Sequence, residues 1–288
     1  MKIVAFGEVL WDIIEGVPHL GGAPLNFAAH SVQCGMGAAI LSAYGRDELG
    51  ERVFREIEDL NVDTRLLQPS EYDTGTVDVL LEDGIPTYVI NENVAYDFID
   101  VSQLNWSVLK EYDCFYFGTL AQRSPESRTC LRQILKTISF ETVFLDVNLR
   151  QAYYDFSTLD FSIAHCSILK LNDEELTEIS TLLFKEQLGE RAFSEKLSER
   201  YKNIETIIIT KGEKGASLFH GKVWFNAESA PIKVGDTIGA GDALSAAFCS
   251  QLLQGVNVEA ALTFANKIAG YVASQRGAIP TYKPESFL

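Results

Sequence analysis

The chain has 288 residues, of which 47% are hydrophobic and 22% charged, enough for a large core in one domain or in one domain with a small appendage. A formal net charge of −16 excludes a broad nucleic-acid surface, because nothing offsets phosphate repulsion, yet a small anionic ligand can still be held by local dipoles. No apolar run is long enough to span a membrane. The opening MKIVAFGEVLWDII is broken by Glu8 and Asp12 and does not read as a signal peptide. The five cysteines are scattered singly, with no CxxC and no HExxH. They read as reduced core thiols of a cytoplasmic protein, not as zinc ligands.

In chain order, KIVAFGEVL (2–10) reads as a first strand, followed by a helix over 24–35, the strand AAILSAYG (38–45) and a helix over 47–60. Residues 74–91 alternate apolar and polar around an EDG turn, as a hairpin does, and with WDIIEG near the start they form a small separate sheet. CFYFGTL (114–120), TVFLDVN (142–148), SILKLN (167–172) and TIIITKG (206–212) are further strands, with helices over 124–138, 172–183 and 187–202. GASLFHGKVWFN is a late hairpin turning at His220–Gly221, and helices over 240–253 and 258–274 close the chain. The strands are almost continuously apolar, as in a parallel sheet buried on both faces. The βα rhythm therefore predicts an α/β fold: an open, mainly parallel sheet with helices on both faces. No repeat or linker divides the chain, so 1–288 reads as a single domain.

Chemistry concentrates in a few polar stretches. In DTIGAGDALSAAF (236–248), Gly239, Ala240 and Gly241 open a helix. Helix N-termini carry unpaired N–H groups and partial positive charge, and glycines let a phosphate come close. Asp242 would stand beside that phosphate, placed to take a proton from an attacking hydroxyl while the amides stabilise the transferring group. An ordinary first-turn acid is the alternative. In LGGAPLNFAAH, Gly21 and Gly22 precede Pro24, and Asn26 sits in the first helical turn, able to donate to and accept from sugar hydroxyls. A tight turn with a solvated Asn is the bland alternative. The four histidines show no metal spacing.

GGAPLNFAAH and DTIGAGDALSAAF together resemble the two signatures of the ribokinase-like (PfkB) carbohydrate kinases, and GEVLWD before the first makes the chain most similar to bacterial fructokinases. The resemblance covers essentially the whole chain. It implies a ribokinase-like fold with a β lid formed by about 11–20 and 74–91, ATP and Mg²⁺ as cofactors, and transfer of the γ-phosphate to a primary hydroxyl of a small sugar, D-fructose foremost. By resemblance Asp242 is the catalytic base, with Gly239, Ala240 and Gly241 as the anion hole. Asp12 matches the acid at the end of the first strand that grips sugar hydroxyls, with Gly22 and Asn26 beside it. LNDEE resembles an Asn-x-x-Glu motif, placing Asn172 near the nucleotide phosphates and Glu175 in the Mg²⁺ shell through water. TKGEKGA matches a turn beside the nucleotide, giving Thr210, Gly212 and Gly215, and Asn266 matches a residue near adenine. Asp236 and the carbonyl of Ile238 match part of a monovalent-cation site, with K⁺ as the ion.

DVNLR (146–150) resembles a cluster of fructokinases and 2-keto-3-deoxygluconate kinases, in which Arg150 meets a hydroxyl, a carboxylate or the phosphate. The family often continues to Leu-Trp, where this chain has Tyr153-Tyr154. Tyr88 on the lid is a candidate for packing on the sugar, and the lid's open edge implies a homodimer in some relatives. Asn172 and Glu175 also suit plain helix-capping roles, and Thr210 a plain hairpin entry. The missing GxxxxGK[ST] excludes a P-loop kinase, and FGEVLWD lacks the GxGxxG of a nicotinamide dehydrogenase. A kinase for 2-keto-3-deoxygluconate, ribose or nucleosides, or a non-catalytic sugar or nucleotide sensor, are the alternatives.

Overall fold

The structure is a computed structural model that describes the backbone of residues 1–82 and 85–288 and the side chains outside 79–87. Its centre is β1 (Lys2–Phe6), whose residues Ile3 to Phe6 are at most 1% exposed, as a strand covered on both faces must be. Parallel to it run β4 (Gly37–Gly45) and β5 (Leu67–Ser70) on one side. On the other lie β8 (Cys114–Phe117), β9 (Thr142–Asp146), β10 (Ile168–Asn172) and β11 (Thr206–Thr210). The late hairpin, β12 (Ala216–His220) and β13 (Val223–Ala227), extends the sheet antiparallel, giving the order β13-β12-β11-β10-β9-β8-β1-β4-β5. Pro69 sits in the edge strand β5, where a missing N–H is tolerated.

Each face has its own core. On one, α1 (Ala23–Gln33), α2 (Glu48–Asp59), α8 (Ala240–Leu253) and α9 (Val258–Ser274) pack Phe27, Ile57, Phe248 and Ile268 onto the sheet. On the other, α4 (Pro125–Thr137), α5 (Phe156–His165), α6 (Asp173–Phe184) and α7 (Glu190–Arg200) contribute Leu131, Leu159, Ile179 and Phe193. A single turn, α3 (Trp106–Leu109), precedes β8. The segment that forms α5, FSTLDFSIAH, carries too many aromatic and hydroxyl residues to announce a helix. It is one because β9 and β10 are parallel and need a crossover, and because Asp155 Oδ1 accepts Thr158 N–H at 2.6 Å to start it.

The stretch KIVAFGEVL is two strands, not one. The chain leaves the large sheet after Phe6 and re-enters order as β2 (Leu10–Ile14), which belongs to a second sheet of order β3-β2-β6-β7. Its other members are β3 (Val17–Gly21), β6 (Gly75–Glu82) and β7 (Ile85–Ile90). Asp12 therefore lies on the small sheet, opposite His19, and not at the end of the first strand as expected. The break is built by the chain between Gly7 and Val9, which turns under the start of α1. Asp83, in the expected EDG turn, lies outside the described residues.

Candidate active site

The entrance of α8 lies above the carboxyl ends of the central strands. Gly239 caps it with a left-handed backbone, φ 77°, and a Cβ there would stand 2.4 Å from the carbonyl oxygen of Ala278. Only glycine meets both constraints. The turn before it is pinned: the N–H groups of Gly235 and Asp236 donate to Ala273 O at 2.9 and 3.2 Å, and Ile238 N–H donates to Asp236 Oδ1 at 3.0 Å. Ala240 N–H turns back to Thr237 O at 3.3 Å and Ala243 N–H bonds to Gly239 O at 2.8 Å. Between them, Gly241 and Asp242 present N–H groups with no hydrogen-bond partner among the described residues, the donor pair a helix N-terminus offers an anion. Of the expected trio, Ala240 alone spends its donor locally.

Asp242 is joined to Asn26 on α1, whose Nδ2 donates to Asp242 Oδ2 at 2.8 Å. Asn26 Oδ1 is buried and has no partner among the described residues, an acceptor that a ligand hydroxyl would satisfy. Burial pushes the Asp242 carboxyl up to about 6, helped by the negative charge of Asp146; Asn26, Lys170 and Arg150 hold it down. Asn26 is placed by Gly22, which starts α1 with φ 113° and whose Cβ would lie 2.4 Å from Glu8 O. Glu8, 4% exposed, was missed in the sequence: burial carries its carboxyl up to about 7, against its own N–H and the charge of Arg150. Burial also raises the Asp12 carboxyl, opposed by His19 and Arg150. Asp12 Oδ2 lies so near Gly21 that a Cβ there would be 2.9 Å away.

Beneath the turn sits a buried ion pair. Lys170 Nζ donates to both oxygens of Asp146 at 3.0 and 3.1 Å, with Asp146 fully buried and Lys170 7% exposed. Ser245 Oγ lies 2.9 Å from Asp146 Oδ2 and 3.0 Å from Gly241 O. A Cβ on Gly241 would meet Lys170 Nζ at 3.1 Å, so the ammonium underlies the donors of α8. The signals were a lone lysine inside the apolar ILKLN and an aspartate ending TVFLD.

Where β10 passes into α6, Asn172 and Glu175 form a reciprocal cap: Asn172 Oδ1 accepts Glu175 N–H at 2.7 Å, and Glu175 Oε2 accepts Asn172 N–H at 2.8 Å. Glu175 Oε1 accepts Leu149 N–H at 2.7 Å and so ties the loop after β9 to α6. Burial raises its carboxyl and Lys170 opposes the rise. Thr210 ends β11 in register with Asn172. Gly212 and Gly215 bound a single turn, and Gly215 packs so closely that a Cβ would be 2.0 Å from Ala227 O. Asn266 on α9 donates to Glu228 O at 2.9 Å and accepts from Ser229 at 3.4 Å, while Ser229 also reaches Gly212 O. These residues thus share one rim.

Arg150 is exposed and bonds weakly to Leu149 O at 3.4 Å, yet its charge is felt at Glu8, Asp12 and Asp242. Tyr88 is 49% exposed and its carbonyl accepts Gln151 Nε2 at 3.2 Å. A groove of about 810 Å³ lined by Arg46, Tyr72 and Phe98 contains none of these residues. The converging acids and helix N–H donors lie apart from that groove.

Free N–H groups at a helix start, an unsatisfied amide oxygen and a half-buried acid pushed up to about 6 thus meet at the mouth of α8. The model of the pfkB carbohydrate kinase family matches residues 3–285, and the chain belongs to that family. It is an ATP-dependent sugar kinase. An uncharacterized sugar kinase of Pyrococcus horikoshii is 29% identical over 307 residues, covering 99% of this chain and 94% of that protein; its structure in complex with ATP superposes with a TM-score of 0.83, covering 99% and 96%. Probable fructokinase-5 of Arabidopsis thaliana is 26% identical, covering 96% and 93%. The ribokinase of Thermotoga maritima, at 20% identity, shares the fold with a TM-score of 0.83, covering 99% and 98%. The fold is ribokinase-like.

Proposed function

We propose that the protein is a fructokinase, transferring the γ-phosphoryl group of MgATP to the 6-hydroxyl of D-fructose. The observation that carries the chemistry is the Asn26–Asp242 hydrogen bond at the mouth of α8. It fixes one carboxylate oxygen and leaves the other to accept the proton of the attacking hydroxyl, while the N–H groups of Gly241 and Asp242 receive the phosphoryl oxygens, Gly239 and Ala240 completing the anion-hole turn. Asp12, Gly22 and Asn26 hold sugar hydroxyls, and the small sheet is a lid that excludes water, with Tyr88 near its opening. Asn172, Thr210, Gly212, Gly215 and Asn266 line the nucleotide.

Glu175 suits a water-mediated Mg²⁺ role. Each oxygen already accepts one N–H, a carboxylate has further lone pairs, and a nearby cation would offset the burial that raises its proton affinity. Bound Mg²⁺ supplies charge neutralisation on the phosphates. Asp236 and the Ile238 carbonyl offer hard oxygens for K⁺. Ile14, Val17, Tyr88 and Val89 are exposed apolar groups on the small sheet and support a homodimer through the lid. Five buried thiols suit a reducing, cytoplasmic setting.

Fructose is favoured over 2-keto-3-deoxygluconate because an acid sugar needs a free cation. Arg123, beside the lid, commits Nε and Nη2 to Asp97 and Asn91 while its Nη1 has no partner, and Lys170 is paired with Asp146, so of these three cations Arg150 is the one without a carboxylate partner among the described residues. Similarity to a fructokinase points the same way. The test is kcat/KM for fructose, 2-keto-3-deoxygluconate, ribose and nucleosides at saturating MgATP with K⁺. A higher value for the acid sugar overturns fructose and leaves the kinase standing; no ATP turnover with any acceptor overturns both.

A further inference from the structure

The return strand of the small sheet, the 3₁₀ turn over Leu120–Arg123 and the loop that carries Arg150 meet on one guanidinium. Arg123 and Asp97 form an ion pair whose side chains are 6% and 4% exposed. Nε donates to Asp97 Oδ1 at 2.7 Å and Nη2 to Oδ2 at 2.8 Å, a two-pronged arrangement that fixes angle as well as distance. Nη2 also donates to Asn91 O at 2.6 Å. Asn91 follows β7 directly, and its amide reaches back to Thr76 Oγ1 and Asp78 Oδ2 on β6 at 2.8 and 2.9 Å. Arg123 thereby grips both long strands of the small sheet at their root.

The same guanidinium also lies over the rings of two tyrosines. Cζ lies 5.1 Å from the ring centre of Tyr96 and 4.9 Å from that of Tyr153. Tyr153 belongs to the loop after β9, where its hydroxyl donates to Glu92 Oε1 at 2.8 Å, and two residues earlier Gln151 Nε2 donates to Tyr88 O. Arg150 stands just ahead of these anchors, so the loop bearing its charge is tied to the return strand at Tyr88, to Glu92 just beyond it, and to Arg123 through the Tyr153 ring.

A buried ion pair is weak evidence of stabilisation, since an apolar replacement of similar volume is often as stable. What the Arg123 arrangement adds is direction: it makes the root of one sheet and the loop of another layer a single rigid unit. We propose that Arg123 is a positioning residue for phosphoryl transfer, holding the lid root and the Arg150 loop together so that the lid cannot move without Arg150. The proposal rests on the sugar-kinase reading of the site. If the unit is loosened, the lid covers the acceptor pocket imperfectly. Water then competes with the sugar hydroxyl for the γ-phosphoryl group, and ATP and water give ADP and inorganic phosphate in place of ADP and sugar phosphate.

The test compares wild type, Arg123→Lys, which keeps the charge and loses the fork, and Tyr153→Phe, which keeps the ring and loses the Glu92 bond. Each is assayed with the best acceptor of wild type for sugar KM, ATP KM, and the ratio of ADP to sugar phosphate formed. The expected result for Arg123→Lys is a sugar KM raised at least about tenfold, as for loss of a charged hydrogen bond, with ATP KM within about twofold and an ADP to sugar phosphate ratio above that of wild type. Tyr153→Phe shifts the same ratio in the same direction by a smaller amount. A folded Arg123→Lys enzyme with wild-type coupling, or with sugar and ATP KM raised equally, overturns the proposal. If Arg123→Lys does not fold, the Tyr153→Phe ratio decides: a raised ratio supports the proposal and an unchanged one overturns it. Failure of the underlying reading is distinct, because wild type itself then makes no sugar phosphate.

Discussion

Asn26 and Asp242 are 216 positions apart in the chain and 2.8 Å apart in the fold, the amide of one donating to the carboxylate of the other. The bond joins the first turns of α1 and α8, both of which begin at glycines that admit no side chain. It leaves Asp242 with one oxygen engaged, a raised proton affinity and a fixed orientation, which is what a general base near neutral pH requires.

Asp242→Asn separates function from stability. Turnover is expected to fall by about 10² to 10⁴ with little change in sugar or nucleotide affinity. The same change should stabilise the fold. The folded carboxyl binds its proton more tightly than an ordinary aspartate, about 6 against 3.8, so stability falls as pH rises through that interval and the full cost is present above it. Relief is on the order of 1–3 kcal/mol at pH 8 and shrinks toward pH 4. Denaturant unfolding at the two pH values checks this; a variant less stable at pH 8 than wild type contradicts the burial account, and one keeping a tenth of the activity removes Asp242 from the base role.

The pH–rate profile should have an acid limb near 6, where Asp242 becomes protonated. Lys170 and Arg150 both hold that affinity down, so Arg150→Met should move the limb to higher pH. A limb that stays in place when Arg150 is removed would mean the titrating group is not Asp242.

Lys170→Met leaves Asp146 buried without its partner and is expected to destabilise the protein by about 3–5 kcal/mol. The paired change Lys170→Met with Asp146→Asn should recover much of that loss. Thermal or urea unfolding of the two variants decides; equal destabilisation would show that packing under Gly241, and not unpaired charge, is what Lys170 provides.

Asp12→Ala should lower kcat/KM for sugar by at least about tenfold, since charged hydrogen bonds contribute roughly 1.5–3 kcal/mol each. ATP affinity should be unchanged, because Asp12 stands on the small sheet, away from the Asn172–Thr210 rim. Equal losses for both ligands would indicate a damaged fold, and unchanged sugar kinetics would place Asp12 outside the pocket.

Much of this was legible from local chemistry. Continuous apolar runs such as TIIIT could only be strands covered on both faces, and GAGD before ALSAAF could only open a helix, because glycine spacing and apolar period are properties of a few neighbouring residues. What local chemistry could not carry was set by distance. The break after Phe6 that sends Asp12 to a second sheet depends on α1 packing over Gly7. The helix over Phe156–His165 exists because two parallel strands need a crossover, and its own sequence argues weakly for it. Glu8 and Arg123 carry no mark in their own segments, and the lysine of ILKLN and the aspartate ending TVFLD do not show that they pair. Their charges act strongly only where burial removes the water that would otherwise screen them, and which charges then face one another is decided by the tertiary fold alone.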